Sequence, residues 1–317
     1  MLILGVDENG LGPRLGPLVA TAVALDCTGR GYDPRRLRKI GDRAGIGDSK
    51  ATSAFGAMAH AEGVALALVE RVTGGAPRDL DDLLARVGLT ESSLGGVAPG
   101  ALESLRAPCD GGSRPQCWSA ELPLPAFGGS LDVGRRMLDR LARAGLEPVR
   151  ARSAIACVRV YNREVARRGS KLCVDLELFE RLVLDARGAL PGELTALCGM
   201  VGGIRRYAGY LAHIDAETLE ILEESRLRSV YRAPAVGEIR FEVDADATHV
   251  PVGLASMLGK YVRELCVDRQ NRFYQSHDPA LPSVSGYHDP VTARFVLATA
   301  ELRRKLAIAS DCFERTS

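Results

Sequence analysis

The sequence predicts a mixed α/β fold, a central sheet flanked by helices. Short apolar runs rich in Val, Leu and Ile alternate along the chain with longer segments of helical period. Turns built from glycine and proline separate the two kinds of segment. The chain has 317 residues, and single cores rarely keep growing past about 250 to 300 residues, so one main core with an addition is expected. We expect a single domain over residues 1–317, an inserted loop or subdomain at about 90–127, and a C-terminal helical part from about 251.

Residues 2–7 and 18–25 are apolar and β-branched, with Gly10, Gly12, Pro13, Gly16 and Pro17 between them, which predicts two neighbouring buried strands. Residues 51–73 have helical composition, and RDLDDLLARVGL at 78–89 has the spacing of a short amphipathic helix. From about 90 to 127 the chain is rich in Gly, Pro and Ser and carries its one tryptophan, Trp118. SLDVGRRMLDRLARAG predicts a helix, PVRARSAIACVRVY a strand, and LCVDLELFERLVLDARG an amphipathic helix. ELTALCGMVGG predicts a strand entering a glycine turn, VGEIRFEVDAD a strand with alternating faces, and VPVGLASMLGKYVRELCVDRQNRFYQ a long helix.

With 46% hydrophobic and 26% charged residues the composition is that of a globular chain, and it argues against wholesale disorder. The net charge of +1 gives no bulk electrostatic argument for a polyanionic partner and none against a local basic patch. No stretch approaches the roughly 18 apolar residues that span a bilayer, and MLILGV is too short for a secretory signal. The expectation is a cytoplasmic protein with no membrane partner. The cysteines include no CxxC pair, and most lie in apolar segments, as reduced core thiols do. Cys109 and Cys117 sit instead in a turn-rich loop, where a zinc or disulfide role is the alternative to free thiols.

The chemistry is expected at VDENGLGP, residues 6–13. A buried carboxylate costs several kcal/mol unless it is paired or binds a cation, and here Asp7 and Glu8 stand together at the end of an apolar strand. A solvated, helix-capping turn is the plain alternative. Gly10 and Gly12 permit positive φ and close approach by another molecule. Downstream, GDSK places Asp48, Ser49 and Lys50 before a helix, as an N-cap or as a phosphate contact. FEVDADATHVPVGLASMLGK carries Glu242, Asp244 and Asp246, which strand alternation would put on one face, and then Lys260.

These motifs resemble those of the type 2 ribonucleases H, ribonuclease HII and its relatives. VDENGLGPRLGPLVATAVAL is similar to the family's opening hairpin, GDSK to its Asp-Ser-Lys motif, DADATHVPVGLASMLGK to its Asp followed by an Ala-Ser helix with Lys, and SGYHDP to its late Ser-Gly-Tyr turn. The four lie in order between residues 6 and 290, while the middle third of the chain matches poorly. The resemblance implies a ribonuclease H-like fold and an endonuclease that cuts the RNA strand of RNA/DNA hybrids or ribonucleotides in duplex DNA. It implies that Asp7, Glu8 and Asp246 bind Mg2+ or Mn2+. It also implies that the amides around Gly10, Leu11 and Gly12 read the ribose, that Ser49 contacts substrate, that Lys50 and Lys260 touch phosphates, and that Tyr287 packs on the sugar. Nothing in the sequence identifies a protein partner.

Two departures matter. The family has a further Asp at the end of a middle strand, and the double glycine and Arg-Arg-Tyr of LCGMVGGIRRY put Gly199 in its place. Asp185 is the rival assignment, Glu193 lies about 20 Å up the same strand at about 3.3 Å per residue, and Asp244 is the local candidate to substitute. The second departure is Leu11, where the family commonly has Arg. His249 is either a ligand-orienting or proton-shuttling group or a polar helix start. A relative that binds hybrids without efficient cleavage is therefore the second reading. A metabolic enzyme with a phosphate loop at GLGPRLG is a third, although that loop matches neither common phosphate-loop pattern.

Overall fold

The structure, a computed structural model, describes residues 1–27, 33–46, 58–89, 115–234 and 236–316. Ser49, Lys50, Cys109 and residues 90–114 of the expected insertion lie outside the described residues.

Strand β1 (Leu2–Asn9) pairs antiparallel with β2 (Leu18–Asp26), which pairs antiparallel with β3 (Glu147–Ala156). On its other side β1 runs parallel to β4 (Leu194–Gly199), and β4 runs parallel to β7 (Gly237–Glu242). An antiparallel pair, β5 (Glu220–Glu224) and β6 (Arg228–Ala233), extends the edge beyond β7. Among the described residues the sheet order is β3-β2-β1-β4-β7-β6-β5, a mixed α/β sheet with β1 near its middle.

Helices cover both faces, so the central strands are apolar on both sides. In chain order these are α1 (Pro34–Ala44), α2 (Ala59–Thr73), α3 (Leu80–Val87), α4 (Pro115–Trp118), α5 (Leu131–Arg143), α6 (Val158–Arg168) and α7 (Lys171–Ala189). After the sheet come α8 (Ala245–Thr248), α9 (Val250–His277), α10 (Pro290–Ala298), α11 (Ala300–Lys305) and α12 (Ser310–Phe313). One core joins Ile3, Val19 and Val23 to α2, α3, α5 and α9. The other joins Leu4, Val6 and Cys198 to Val174, Leu178 and Leu182 of α7. Leu15, Tyr274, Phe295 and Phe313 form a third cluster that ties the C-terminal helices to the loop after β1. Among the described residues no helix is long and apolar enough to cross a membrane.

Most expected elements are present, and three expectations are corrected. VRVY does not continue strand β3: Val158 opens α6, because Cys157 turns the chain and polar residues at Asn162, Arg163 and Glu164 continue a helical period. The α7 segment is not amphipathic in the simple sense, since Asp175, Glu177, Glu180, Arg181 and Asp185 are all buried. The strand carrying the third carboxylate group ends at Glu242, and Asp244 adopts φ +50 before the short helix α8. Strand alternation therefore does not relate Glu242, Asp244 and Asp246.

Two buried glutamates show how helices fix the loops. Glu62 of α2 accepts from the backbone N–H groups of Ala126, Phe127 and Gly129 at 2.6–2.8 Å and from the Tyr261 hydroxyl at 2.9 Å. Glu180 of α7 does the same for Ala212, His213 and Ile214. Four bonds offset the cost of burying the Glu62 carboxylate, and removing it strands the donors. Glu62→Ala is expected to lower stability by about 2 to 4 kcal/mol in urea unfolding. A change under about 0.5 kcal/mol, the usual range for surface positions, would refute this role.

Candidate active site

Strand β1 brings Asp7 and Glu8 to its C-terminal end, beside the C-terminal end of the parallel strand β4 through the pair Val6 and Cys198. Ile3 packs in the α9 core and Leu4 and Val6 in the α7 core, so alternation sets Gly5 and Asp7 toward α9. Gly5 is required by a close approach: a Cβ there would lie 2.1 Å from the Pro251 carbonyl carbon, so the first turn of α9 rests directly on the strand. This contact carries Ser256 to Asp7, which accepts a hydrogen bond from the Ser256 side chain and one from the Glu8 backbone N–H. Asn9 Nδ2 donates to the Ser256 carbonyl at 3.4 Å.

Asp7 is only 9% exposed. Burial pushes its carboxyl well above the ordinary carboxylate value, and the charges of Glu8 and then Asp246 push it further, against the two hydrogen bonds. The three carboxylates are thus close enough to repel. Gly199, at the end of β4, borders the same place: a Cβ there would meet Asp7 Oδ1 at 2.8 Å and Glu8 Oε2 at 3.9 Å. Position 199 therefore borders Asp7 and Glu8, and the residue there has no side chain. Asp185, the rival assignment, is buried in α7 and bridged by Arg150 at 2.8 Å.

Asp246 comes from the short helix α8 and is half-buried, whereas Asp244 is exposed in a left-handed turn. The charge of Asp246 acts on Asp7. Glu242 turns to His249, whose Nε2 lies 3.0 Å from Glu242 Oε2, and this bond holds the Glu242 carboxyl below its usual range. His249 is buried and precedes α9, so this hydrogen bond joins the end of β7 to the start of the helix.

The turn after β1 carries the residues expected to meet substrate. Gly10 has φ +96, and a Cβ there would lie 2.9 Å from Arg263 Nε and 3.1 Å from the Pro17 carbonyl oxygen. Gly12 differs from expectation: its φ is not positive, nothing lies within 4 Å of a Cβ built on it, and it is exposed. Leu11 is half-buried. Arg263, buried in α9, donates to the Ser285 carbonyl at 3.0 Å, and its guanidinium lies 4.8 Å from the centre of the Tyr287 ring. Tyr287 is 45% exposed, so one arginine braces both the Gly10 turn and the aromatic ring expected to pack on a sugar. Lys260, three residues earlier in α9, is half-buried, and that burial lowers its pKa.

Asp175 is a site neighbour that sequence reasoning missed. It is 0% exposed, and neither of its carboxyl oxygens has a hydrogen-bond partner among the described residues. The other buried acids of α7 are partnered: Glu177 by Arg168, Glu180 by backbone amides and Asp185 by Arg150. Burial and then the Asp7 charge push Asp175 up to about 8, partly offset by Arg315. No local pattern announces it, because an acid in a helix ordinarily faces water.

Asp7, Glu8 and Asp246 supply hard oxygen donors whose mutual repulsion a divalent cation would relieve. Among the described residues no three His, Cys, Asp or Glu side chains form a ready ligand set. The donor chemistry fits an ion such as Mg2+, which binds through few protein carboxylates and takes its remaining ligands from water and substrate phosphate. Cys117 is in no disulfide and lines a small cavity with Cys157, Cys266 and Cys312.

No protein-family model matches this chain, and no curated protein sequence does. Solved structures do. Over 100% of this chain and 94% of the other, it is similar to ribonuclease HII from Archaeoglobus fulgidus in its complex with PCNA, at 16% identity and a TM-score of 0.46. The Pyrococcus horikoshii OT3 ribonuclease H2 is similar over 99% of this chain and 92% of the other, at 14% identity and 0.45. Bst-RNase HIII in complex with Mn2+ is similar over 99% of this chain and 66% of the other, at 16% identity and 0.47.

Proposed function

We propose that this chain is a metal-dependent endoribonuclease of the ribonuclease H type 2 kind, acting in the cytoplasm on RNA/DNA hybrids or on ribonucleotides embedded in duplex DNA. The observation that carries this reading is electrostatic. Asp7 is buried against the charges of Glu8 and Asp246, an arrangement that costs stability in the metal-free fold and is explained by a cation that all three would hold.

Asp7, Glu8 and Asp246 would hold Mg2+ or Mn2+, which when bound activates a water and stabilises the leaving 3′ oxygen. Ser256 orients Asp7 by a hydrogen bond. The N–H groups around Gly10, Leu11 and exposed Gly12 face the ribose, whose 2′-OH separates RNA from DNA. Tyr287, held from behind by Arg263, offers an exposed ring to the sugar. Lys260, with Ser49 and Lys50 from their motif, faces phosphates. The expected result is cleavage of the RNA strand of a labelled hybrid with Mg2+ or Mn2+. A chain that binds the hybrid and yields no product with either ion would overturn the enzyme reading.

Gly199 favours a second reading, a hybrid-binding protein with impaired cleavage. The position that borders Asp7 and Glu8 contributes no donor. On this reading Gly199→Asp raises cleavage in Mn2+ by about tenfold or more, the scale on which ligand-shell changes act. Unchanged or reduced cleavage in a folded Gly199→Asp protein would mean that the missing carboxylate is not what limits the site.

A further inference from the structure

The last residues of the chain return to the first loop. The Arg315 side chain is buried; Nε donates to the Gly16 carbonyl at 2.8 Å, and Nη1 donates to the Gly10 carbonyl. The Arg315 backbone N–H donates to the Arg14 carbonyl at 2.9 Å, and Arg14 Nε meets Glu314 Oε1 at 2.5 Å. The same short segment is tied to α6: Asn162 Nδ2 donates to the carbonyls of Asp311 at 3.0 Å and Glu314 at 2.8 Å, and Asn162 Oδ1 accepts from the Thr316 N–H at 2.8 Å. The Arg315 guanidinium lies 4.8 Å from the centre of the Tyr161 ring, also on α6.

Burying a guanidinium is costly, and this one is not neutralised by a salt bridge among the described residues. What it secures is the orientation of peptide planes. Across a trans peptide the C=O of one residue and the N–H of the next point in opposite directions. Holding the Gly10 carbonyl on buried Arg315 therefore turns the Leu11 N–H away from the protein interior. Gly10, at φ +96, permits that turn. The bond to Gly16 fixes the other end of the same loop, so a single rigid fork spans it.

We propose that the segment 311–316 is a strap whose Arg315 is a positioning residue: it sets the shape of the Gly10–Gly16 loop and aims the Leu11 N–H outward. The consequence for ribose recognition rests on the function proposed above, while the strap itself does not.

The test is hydrogen–deuterium exchange of the full-length chain without nucleic acid, joined to hybrid binding measured by fluorescence anisotropy. Arg315→Ala is expected to speed exchange of the amides at residues 10–16 by about tenfold or more, with the amides of β1 and β4 unchanged. Arg315→Lys, which offers no fork to span two carbonyls, is expected to restore only part of the protection. Hybrid affinity and KM are expected to weaken about tenfold in Arg315→Ala, with kcat changed less than about threefold. Should Arg315→Ala not fold, Asn162→Ala, which loosens the strap from α6, is expected to raise exchange in the same loop. Wild-type exchange at residues 10–16 in folded Arg315→Ala, or in Asn162→Ala in its place, would overturn the strap. If the wild-type chain neither binds nor cuts hybrid, the proposed function falls and the exchange result still decides the strap.

Discussion

Asp7→Asn is expected to abolish cleavage and at the same time to make the metal-free protein more stable. Asn keeps the shape of the side chain and an oxygen that can accept from Ser256 and the Glu8 N–H. It removes the buried charge that burial, Glu8 and Asp246 all disfavour. Replacing an uncompensated buried charge by a neutral isostere is worth roughly 1 to 3 kcal/mol. On the proposed function, loss of a carboxylate that would hold the metal is expected to cut kcat/KM by at least about a thousandfold, or about 4 kcal/mol of transition-state stabilisation. Cleavage assays and EDTA-treated thermal melts check both. A variant that cleaves within tenfold of wild type would remove Asp7 from the site, and one that melts lower would show that its charge is compensated in the fold.

Asp175→Asn is expected to change how stability depends on pH. The pKa of Asp175 is raised to about 8 in the folded protein by burial and by the Asp7 charge, and it returns to the ordinary carboxylate range on unfolding. Below that ordinary range both states hold the proton and the residue is neutral in its effect. Between it and about 8 the folded chain keeps a proton that the unfolded chain has released, so stability falls as pH rises. The loss across the window is on the order of 5 kcal/mol, and it levels off above the folded value. The Asn variant lacks this slope, so its advantage over wild type grows from pH 5 to pH 8. Urea titrations in EDTA at the two pH values measure it, and parallel pH dependence in the two proteins would refute it.

Much of the frame was legible because it is written in local periods. Val, Leu and Ile in two short runs around a Gly-Pro turn specify the hairpin of β1 and β2, and helical spacing specifies α3, α5, α7 and α9. The edge strand β5 was missed because EILEE is exposed and acidic, so it lacks an alternating apolar face. The early end of β7 was missed because VDAD reads as a continuing strand until Asp244 takes a left-handed turn, which a short polar side chain tolerates.

The site divides along the same line. The motifs marked Asp7, Glu8, Asp246, Gly10 and Tyr287, since each is a short string with its own chemistry, and they marked Gly199 as a departure. The tertiary structure decided what these residues meet. It set Gly199 against Asp7, brought the Asp246 charge to bear on that carboxylate, and left Gly12 open while Gly10 is braced. It alone disclosed Asp175 and the Arg315 fork. The physical reason is range: periodicity reports which face of one element is buried, through neighbours a few residues apart. A buried charge is set by whatever groups reach it through space, and Arg315 meets Gly10 across 305 positions of chain.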